Sequence, residues 1–170
     1  MSQSRVKPSK ELPDEHHHLF EWWESLKVNR GERATIRRAS NIEQVMFNPG
    51  FHRLWRKLRK TNWRSEERVA LIAGLAARVR DHHPGLSLAA QLGSSSAGRQ
   101  KAVFSGLRFR RLLQTRHPNE LLQACSRAIK FCERRIDLAK LANDVYWWDV
   151  DEHIQKKWAF DYYNANPTAD

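Results

Sequence analysis

The sequence has few cysteines and no long apolar run, the features that define disulfide-rich and membrane proteins. It contains two cysteines, Cys125 and Cys132, which lie two turns apart on one predicted helix and cannot bridge there, so we expect buried, reduced thiols. No apolar run approaches the roughly 18 residues that a membrane-spanning helix needs, and the N-terminal residues lack the apolar core of a signal peptide. We therefore expect a soluble, cytoplasmic protein with no membrane partner.

Glycine and proline are also scarce, with seven and six residues in a chain of 170. Long uninterrupted elements are expected, and no useful stretch alternates polar and apolar residues with the period of a β-strand. We predict an all-α fold, a helical bundle of about eight to nine helices in two packed halves. The segments of this single compact unit are an N-terminal extension at 1–18, an N-terminal helical half at 19–92, a flexible connection at 93–98 and a C-terminal helical half at 99–163.

Apolar residues at helical spacing and local capping residues predict where the helices lie. Gly31 is expected to end the first helix, and Ser40 with Glu43 forms a capping box that opens the third. Ser65 and Asp151 are expected to cap later helices. Besides the stretches "ERATIRRA" and "FHRLW", helices are predicted at about 14–29, 65–82, 87–92, 100–115, 119–135, 137–148 and 151–163.

Acidic residues are few beside basic ones, and the imbalance is concentrated in two blocks. The chain carries 30 Lys and Arg against 19 Asp and Glu, a net charge of +11. Residues 27–64 contain 11 basic and 2 acidic residues, and residues 99–135 contain 10 and 2, whereas both ends of the chain are acidic. Segregation of this kind indicates a polyanionic partner on a continuous surface.

The basic residues fall on helix faces that leave the apolar stripes free to pack. Arg127, Lys130 and Arg134 repeat at i, i+3 and i+7, opposite the inward residues of their helix. A row of cations without interspersed carboxylates is typical of phosphate contacts, although a merely solvated helix face stays an alternative. The candidate nucleic-acid-binding residues are Arg37, Arg38, Lys101, Arg108, Arg110, Arg111, Arg127, Lys130 and Arg134. Trp55 and Trp63, interleaved with cations, are candidates for base stacking or for the core.

The stretch "GSSSAGRQK" at 93–101 is close to the phosphate-binding loop of nucleotide hydrolases. It departs from that motif because a helix precedes it, Arg99 stands where lysine belongs, and Gln100 replaces the hydroxyl that binds Mg²⁺. We predict a flexible interhelix connection and no nucleotide cofactor. Asp144, Asp149 and Asp151 cluster near a predicted helix end, where capping explains them, so we expect no metal site and no catalytic residues.

The order of several short stretches resembles a known family. "WWESL", "RATIRRAS", "FHRLW", "LAAQLG", "FSGLRFRRLLQTR", "LLQACSRAIKFC", "IDLAKLANDVYWW" and "KKWAFDYY" follow one another between about residues 19 and 163. This arrangement is similar to that of the CasB family, the small subunit of the type I-E CRISPR Cascade surveillance complex.

The resemblance implies an all-helical, non-catalytic antiviral-defence subunit that is present as a pair. Its implied partners are other Cascade subunits, a second copy of itself, the guide RNA, and target DNA through the displaced strand of the R-loop. By position, the contacts it implies are Arg37, Arg38, Arg108 with Arg110 and Arg111, and Arg127; Ser126 stands where the family pattern has a further arginine. Two other classes stay open as alternatives: a basic helical protein-interaction scaffold, and a nuclease or nucleotide hydrolase, from which we expect no turnover.

Overall fold

The computed structural model describes residues 12–95 and 101–165. These residues form ten α-helices and one pair of two-residue strands, so the expected all-α class is confirmed with slightly more helices than the sequence suggested. In chain order the elements are α1 (Asp14–Val28), α2 (Arg30–Arg38), α3 (Ile42–Met46), α4 (Pro49–Leu58), α5 (Glu66–Ala76), β1 (Asp81–His82), α6 (Leu88–Gly93), α7 (Gly106–Gln114), α8 (Pro118–Phe131), β2 (Arg135–Ile136), α9 (Leu138–Tyr146) and α10 (Glu152–Ala165). No helix in these two ranges is long and apolar enough to cross a membrane.

Side-chain caps account for where most helices begin. Ser65 accepts a hydrogen bond from the Arg68 N–H, as predicted. The cap of α3 lies one residue later than expected: the Asn41 side chain accepts from the Gln44 N–H at 2.9 Å, and the Gln44 side chain accepts at 2.8 Å from the N–H of Ser40, the residue before the cap. The predicted pairing of Ser40 with Glu43 is therefore wrong.

Three other predicted helix boundaries are also wrong. α1 ends at Val28, the next residue Asn29 caps α2 with its side chain, and Gly31 lies within α2 and does not end α1. α5 stops at Ala76 because the following residues pass into β1, which pairs in parallel with β2. α7 begins only after Ser105, which caps it, and not at about residue 100.

α5 is the central helix of the fold. Its residues from Val69 to Ala76 are all buried, which is the pattern of a helix surrounded by other elements on every side. It contacts α2, α3 and α4, which precede Gly93 in the chain, and α8 and α9, which follow it. α6 in turn packs on α10. The helices that precede Gly93 and those that follow it therefore share one core.

Both cysteines lie in that core as free thiols, as predicted. Burial raises the pKa of Cys125 and of Cys132 to about 12. The thiolate is the form that binds metals and attacks electrophiles, so neither residue is suited to either role at neutral pH.

A buried carboxyl joins α9 to α10. Trp158 Nε1 donates a hydrogen bond of 2.8 Å to Asp144 Oδ2, and Asp144 is only 4% exposed. Burial raises the pKa of the Asp144 carboxyl, while the Trp158 hydrogen bond and the charges of Lys157 and Lys140 oppose that shift.

This raised pKa predicts how one substitution changes the pH dependence of stability. The folded chain holds the Asp144 proton more tightly than the unfolded chain, so the stability from this group is complete below its unfolded pKa of about 3.9 and is lost as pH rises through its folded pKa. In Asp144→Asn this contribution is absent. Denaturant unfolding between about pH 7 and pH 4 should show wild type gaining stability relative to the variant as pH falls. Parallel pH profiles would contradict the assignment.

Candidate nucleic-acid interface

Three adjoining depressions on the surface are lined by cationic side chains. The largest lies between α7 and α8 and has a volume of about 740 Å³. Arg127 and Lys130 line both this depression and the second, and Arg37 lines both the second and the third. Because they share these residues, the depressions form one continuous surface, called here the basic track. Its cations are Lys27, Arg30, Arg33, Arg37, Arg78, Arg80, Arg108, Arg111, Arg127, Lys130 and Arg134.

α8 places two of the track cations one turn apart. Arg127 and Lys130 are exposed, whereas the intervening Ala128 and Ile129 are fully buried. The helix is anchored by that apolar face, so its basic face is presented to solvent. The predicted i, i+3 arrangement of Arg127 and Lys130 is confirmed.

Arg134 lies on the basic track, but in a turn after α8 and not within the helix as predicted. α8 ends at Phe131, and Glu133 and Arg134 both adopt left-handed backbone conformations, with φ of 53° and 61°. Each such non-glycine residue costs roughly 1–2 kcal/mol. The turn is held by hydrogen bonds, since the Arg134 N–H donates to the Ile129 carbonyl and the N–H groups of Arg80 and Asp81 both donate to the Arg134 carbonyl.

α7 separates its arginines between two sides of the helix. Arg108 and Arg111 are exposed and line the largest depression, and the Arg108 guanidinium carbon lies 6.0 Å from the centre of the Phe131 ring. Arg110 lies near Tyr162 of α10, where burial raises the pKa of the phenol and the charge of Arg110 opposes that shift. Arg110 therefore does not share the track with its neighbours.

α2 divides its paired arginines in the same way. Arg37 joins the second and third depressions, whereas Arg38 is exposed and lines none of the three. Lys101 is also exposed, directly after the undescribed stretch 96–100, and it too lies outside the residues that line the track. Of the nine predicted contacts, the structure thus gathers the six named Arg37, Arg108, Arg111, Arg127, Lys130 and Arg134.

Two track arginines also hold the fold together. Arg33 donates to the carbonyls of Ala77 and Val79, and Arg78 donates to the carbonyls of Gly74 and Ala39, each of the latter at 2.7 Å. Burial, and secondarily the charge of Arg37, lowers the pKa of Arg78 to about 10. Arg78 is still charged at neutral pH, so it contributes to the positive potential while it joins α2 to α5.

The six gathered cations have no carboxylate partner within the described ranges. Ion pairs elsewhere in the chain include Arg68 with Asp149 at 3.1 Å and Lys140 with Asp161 at 3.5 Å. Among the residues with described positions, the only carboxylates lining the three depressions are Glu120 and Asp81, and Asp81 is paired with Arg80. Like charges held together without counterions create a strongly positive potential, which a bound polyanion would neutralise.

The sequence analysis missed Lys27, Arg30 and Arg33, which extend the track along α1 and α2. The sequence did contain a pattern that indicates a shared basic face, because Arg30, Arg33 and Arg37 repeat at the same i, i+3 and i+7 spacing as the cations near α8. Arg78 and Arg80 had no comparable signal, because the chain leaves α5 just before them.

The remaining candidates have structural roles. Asp149 pairs with Arg68, and Asp151 accepts from the His153 N–H at the start of α10 as predicted, so these carboxylates and the buried Asp144 serve separate contacts. Across the described residues no group of three or more His, Cys, Asp or Glu side chains is placed to hold a metal ion. Trp63 is 1% exposed and stacks on Tyr146, so it belongs to the core and is not available for base stacking.

Residues 32–163 match the sequence model of the family described as CRISPR-associated protein Cse2. The chain belongs to the Cse2 family. A family member from Thermus thermophilus is 32% identical over 150 residues, covering 82% of this chain and 86% of the relative. The resemblance to the CasB family is thereby confirmed.

Solved structures of other proteins share this fold. A crystal structure of CasB from Thermus thermophilus matches with a TM-score of 0.64 at 26% identity, covering 90% of this chain and 99% of that one. A chain in the crystal structure of E. coli Cascade bound to a PAM-containing dsDNA target matches with a TM-score of 0.66, covering 92% and 99%. That chain is 16% identical, so it supports the fold alone.

Proposed function

We propose that this chain is a non-catalytic small subunit of a type I-E Cascade complex that binds nucleic acid without sequence specificity. The observation that carries the proposal is the continuity of the basic track, in which six cations without carboxylate partners among the described residues line adjoining depressions. Its contacts would be phosphates, because arginine offers a planar fork that pairs bidentately with phosphate oxygens. Contacts of this kind position a strand and do not read its bases.

The nucleic acid we assign to the track is the displaced non-target strand of an R-loop. Opening a target duplex exchanges DNA pairing for RNA–DNA pairing of similar stability, so modest contacts to the freed strand tip the balance toward the open state. Cse2-family membership supports a place beside other Cascade subunits. As further partners we propose a second copy of the chain and the guide RNA, which the likeness to the CasB family implies.

The proposal is tested in an assembled complex with two double variants of equal charge change. Arg37→Ala with Arg127→Ala removes two track cations, and we expect the R-loop to dissociate about tenfold faster at 0.1 M salt while assembly is intact. Arg38→Ala with Arg110→Ala removes two exposed arginines outside the track and should leave the R-loop lifetime unchanged. Unchanged R-loop lifetime in the track variant would overturn the proposal, and loss of assembly would favour the protein-interaction scaffold.

A further inference from the structure

The depression between α7 and α8 differs from the other two in its apolar floor. Phe104, Leu112, Ala124 and Phe131 all line it. Phe131 is 43% exposed and meets Phe104 edge to face at a centroid distance of 5.3 Å, so one aromatic ring is supported by another and still open to solvent. The volume of about 740 Å³ lies within the roughly 300–1,000 Å³ of ordinary small-molecule sites.

Cations surround this floor. Arg108, Arg111, Arg127 and Lys130 line the same depression, against the single carboxylate of Glu120. A ligand that suits both the apolar floor and the cations must place a flat apolar face on the Phe131 ring and negative charge beside the cations. Of the amide side chains in the same lining, Asn119 is already held by Ile42 and Glu43, whereas the Gln123 amide oxygen has no partner among the described residues and can accept from a polar edge of such a ligand.

We propose that this depression is a nucleobase pocket, in which one unstacked base of the bound strand lies on Phe131 while its flanking phosphates contact the surrounding arginines. The inference rests on the proposed function, which supplies the strand. Every base has a π-face, so stacking here is compatible with binding that ignores sequence. Because four cations and only one described carboxylate line the depression, a nucleotide is favoured over a neutral apolar segment of a partner protein.

The test compares two single-stranded oligonucleotides with equal numbers of phosphates, one of thymidines and one abasic, by fluorescence anisotropy with the full chain. We expect wild type to bind the thymidine strand about tenfold more tightly than the abasic strand, and Phe131→Ala to reduce that ratio to near one. Phe131→Leu keeps an apolar side chain and should also lower the ratio. Phe160→Ala, which removes a 59% exposed ring on α10, is the matched control and should keep the wild-type ratio.

The remaining outcomes distinguish a failure of this inference from a failure of the proposed function on which it rests. Equal, salt-sensitive binding of both strands by wild type would keep the phosphate track and overturn the pocket. A ratio unchanged by Phe131→Ala would also overturn it. Absence of binding to both strands would overturn the proposed function as well. A near-unit ratio, combined with failure of Phe131→Ala to assemble into the complex, would assign the depression to a protein partner instead.

Discussion

Replacing Arg108, Arg111 and Arg127 together by alanine is expected to weaken binding of a single-stranded oligonucleotide by about 100-fold at 0.1 M salt. Each cation that neutralises a single-strand phosphate adds about 0.7 to the slope of log affinity against log salt, so three contacts amount to about two powers of ten between 1 M and 0.1 M salt. The three side chains line one depression and are exposed, so the fold should be retained. Fluorescence anisotropy across a salt series measures the effect.

The control for this variant removes the same charge elsewhere. Arg56, Arg59 and Arg64 are exposed at and beyond the end of α4 and line none of the three depressions. Their replacement by alanine should weaken binding only slightly. If the two triple variants lose affinity equally, net charge and not the track determines binding.

Gly93→Ala is expected to lower the free energy of unfolding by at least about 2 kcal/mol, which is a large part of the stability of an ordinary domain. An added Cβ would meet the backbone of Tyr162 in α10, with the Tyr162 carbonyl carbon at 2.8 Å and its Cα at 2.9 Å. Backbone atoms cannot rotate aside as a flexible side chain can, so α6 and α10 would have to separate. Denaturant unfolding measures the loss.

Gly31→Ala is the matched control for this substitution. Gly31 lies within α2, and a Cβ there would meet nothing within 4 Å. Because alanine favours a helix over glycine by roughly 0.5–1 kcal/mol, this variant should be at least as stable as wild type. Comparable destabilisation of both variants would mean that α6 and α10 do not approach closely at Gly93.

Gly93 also gives a physical reason for part of the loop that resembles a phosphate-binding motif. Its lack of a side chain permits close helix packing, and no contact with a ligand is needed to explain it. The other glycine of that motif, Gly98, lies outside the described residues. A motif scan sees two glycines at a suggestive spacing, but only the fold reveals that α10 lies against the first.

Periodicity and capping residues were sufficient to predict the helical class and most helices. They failed where a tertiary contact ends a helix. Val79 continues the apolar stripe of α5 and is fully buried, yet the helix stops at Ala76 because the chain beyond it pairs with β2. Arg134 likewise continues the spacing of α8 although it lies past the helix end in a left-handed turn. Burial patterns alone cannot distinguish these cases from longer helices.

The sequence predicted a continuous basic surface and candidate residues for it, but not which of those residues lie together. Spacing placed Arg127 with Lys130 and Arg108 with Arg111, since each pair lies on one helix. That Arg37 of α2 meets Arg134 and Lys130 depends on how distant segments pack, for which the sequence carries no local signal. The same packing separates Arg37 from Arg38 and Arg108 from Arg110, which adjacency in sequence could not resolve.

The salt dependence of single-strand binding by the full chain is the most direct test of the basic track. Six cations that have no carboxylate partner in the described part of the chain predict a slope of log affinity against log salt of about −4. The slope should be the same for oligonucleotides of different sequence and unchanged by Mg²⁺ chelation, with the strand left uncut. A slope near zero, or no binding at low salt, would contradict the assignment of this surface to a nucleic-acid backbone.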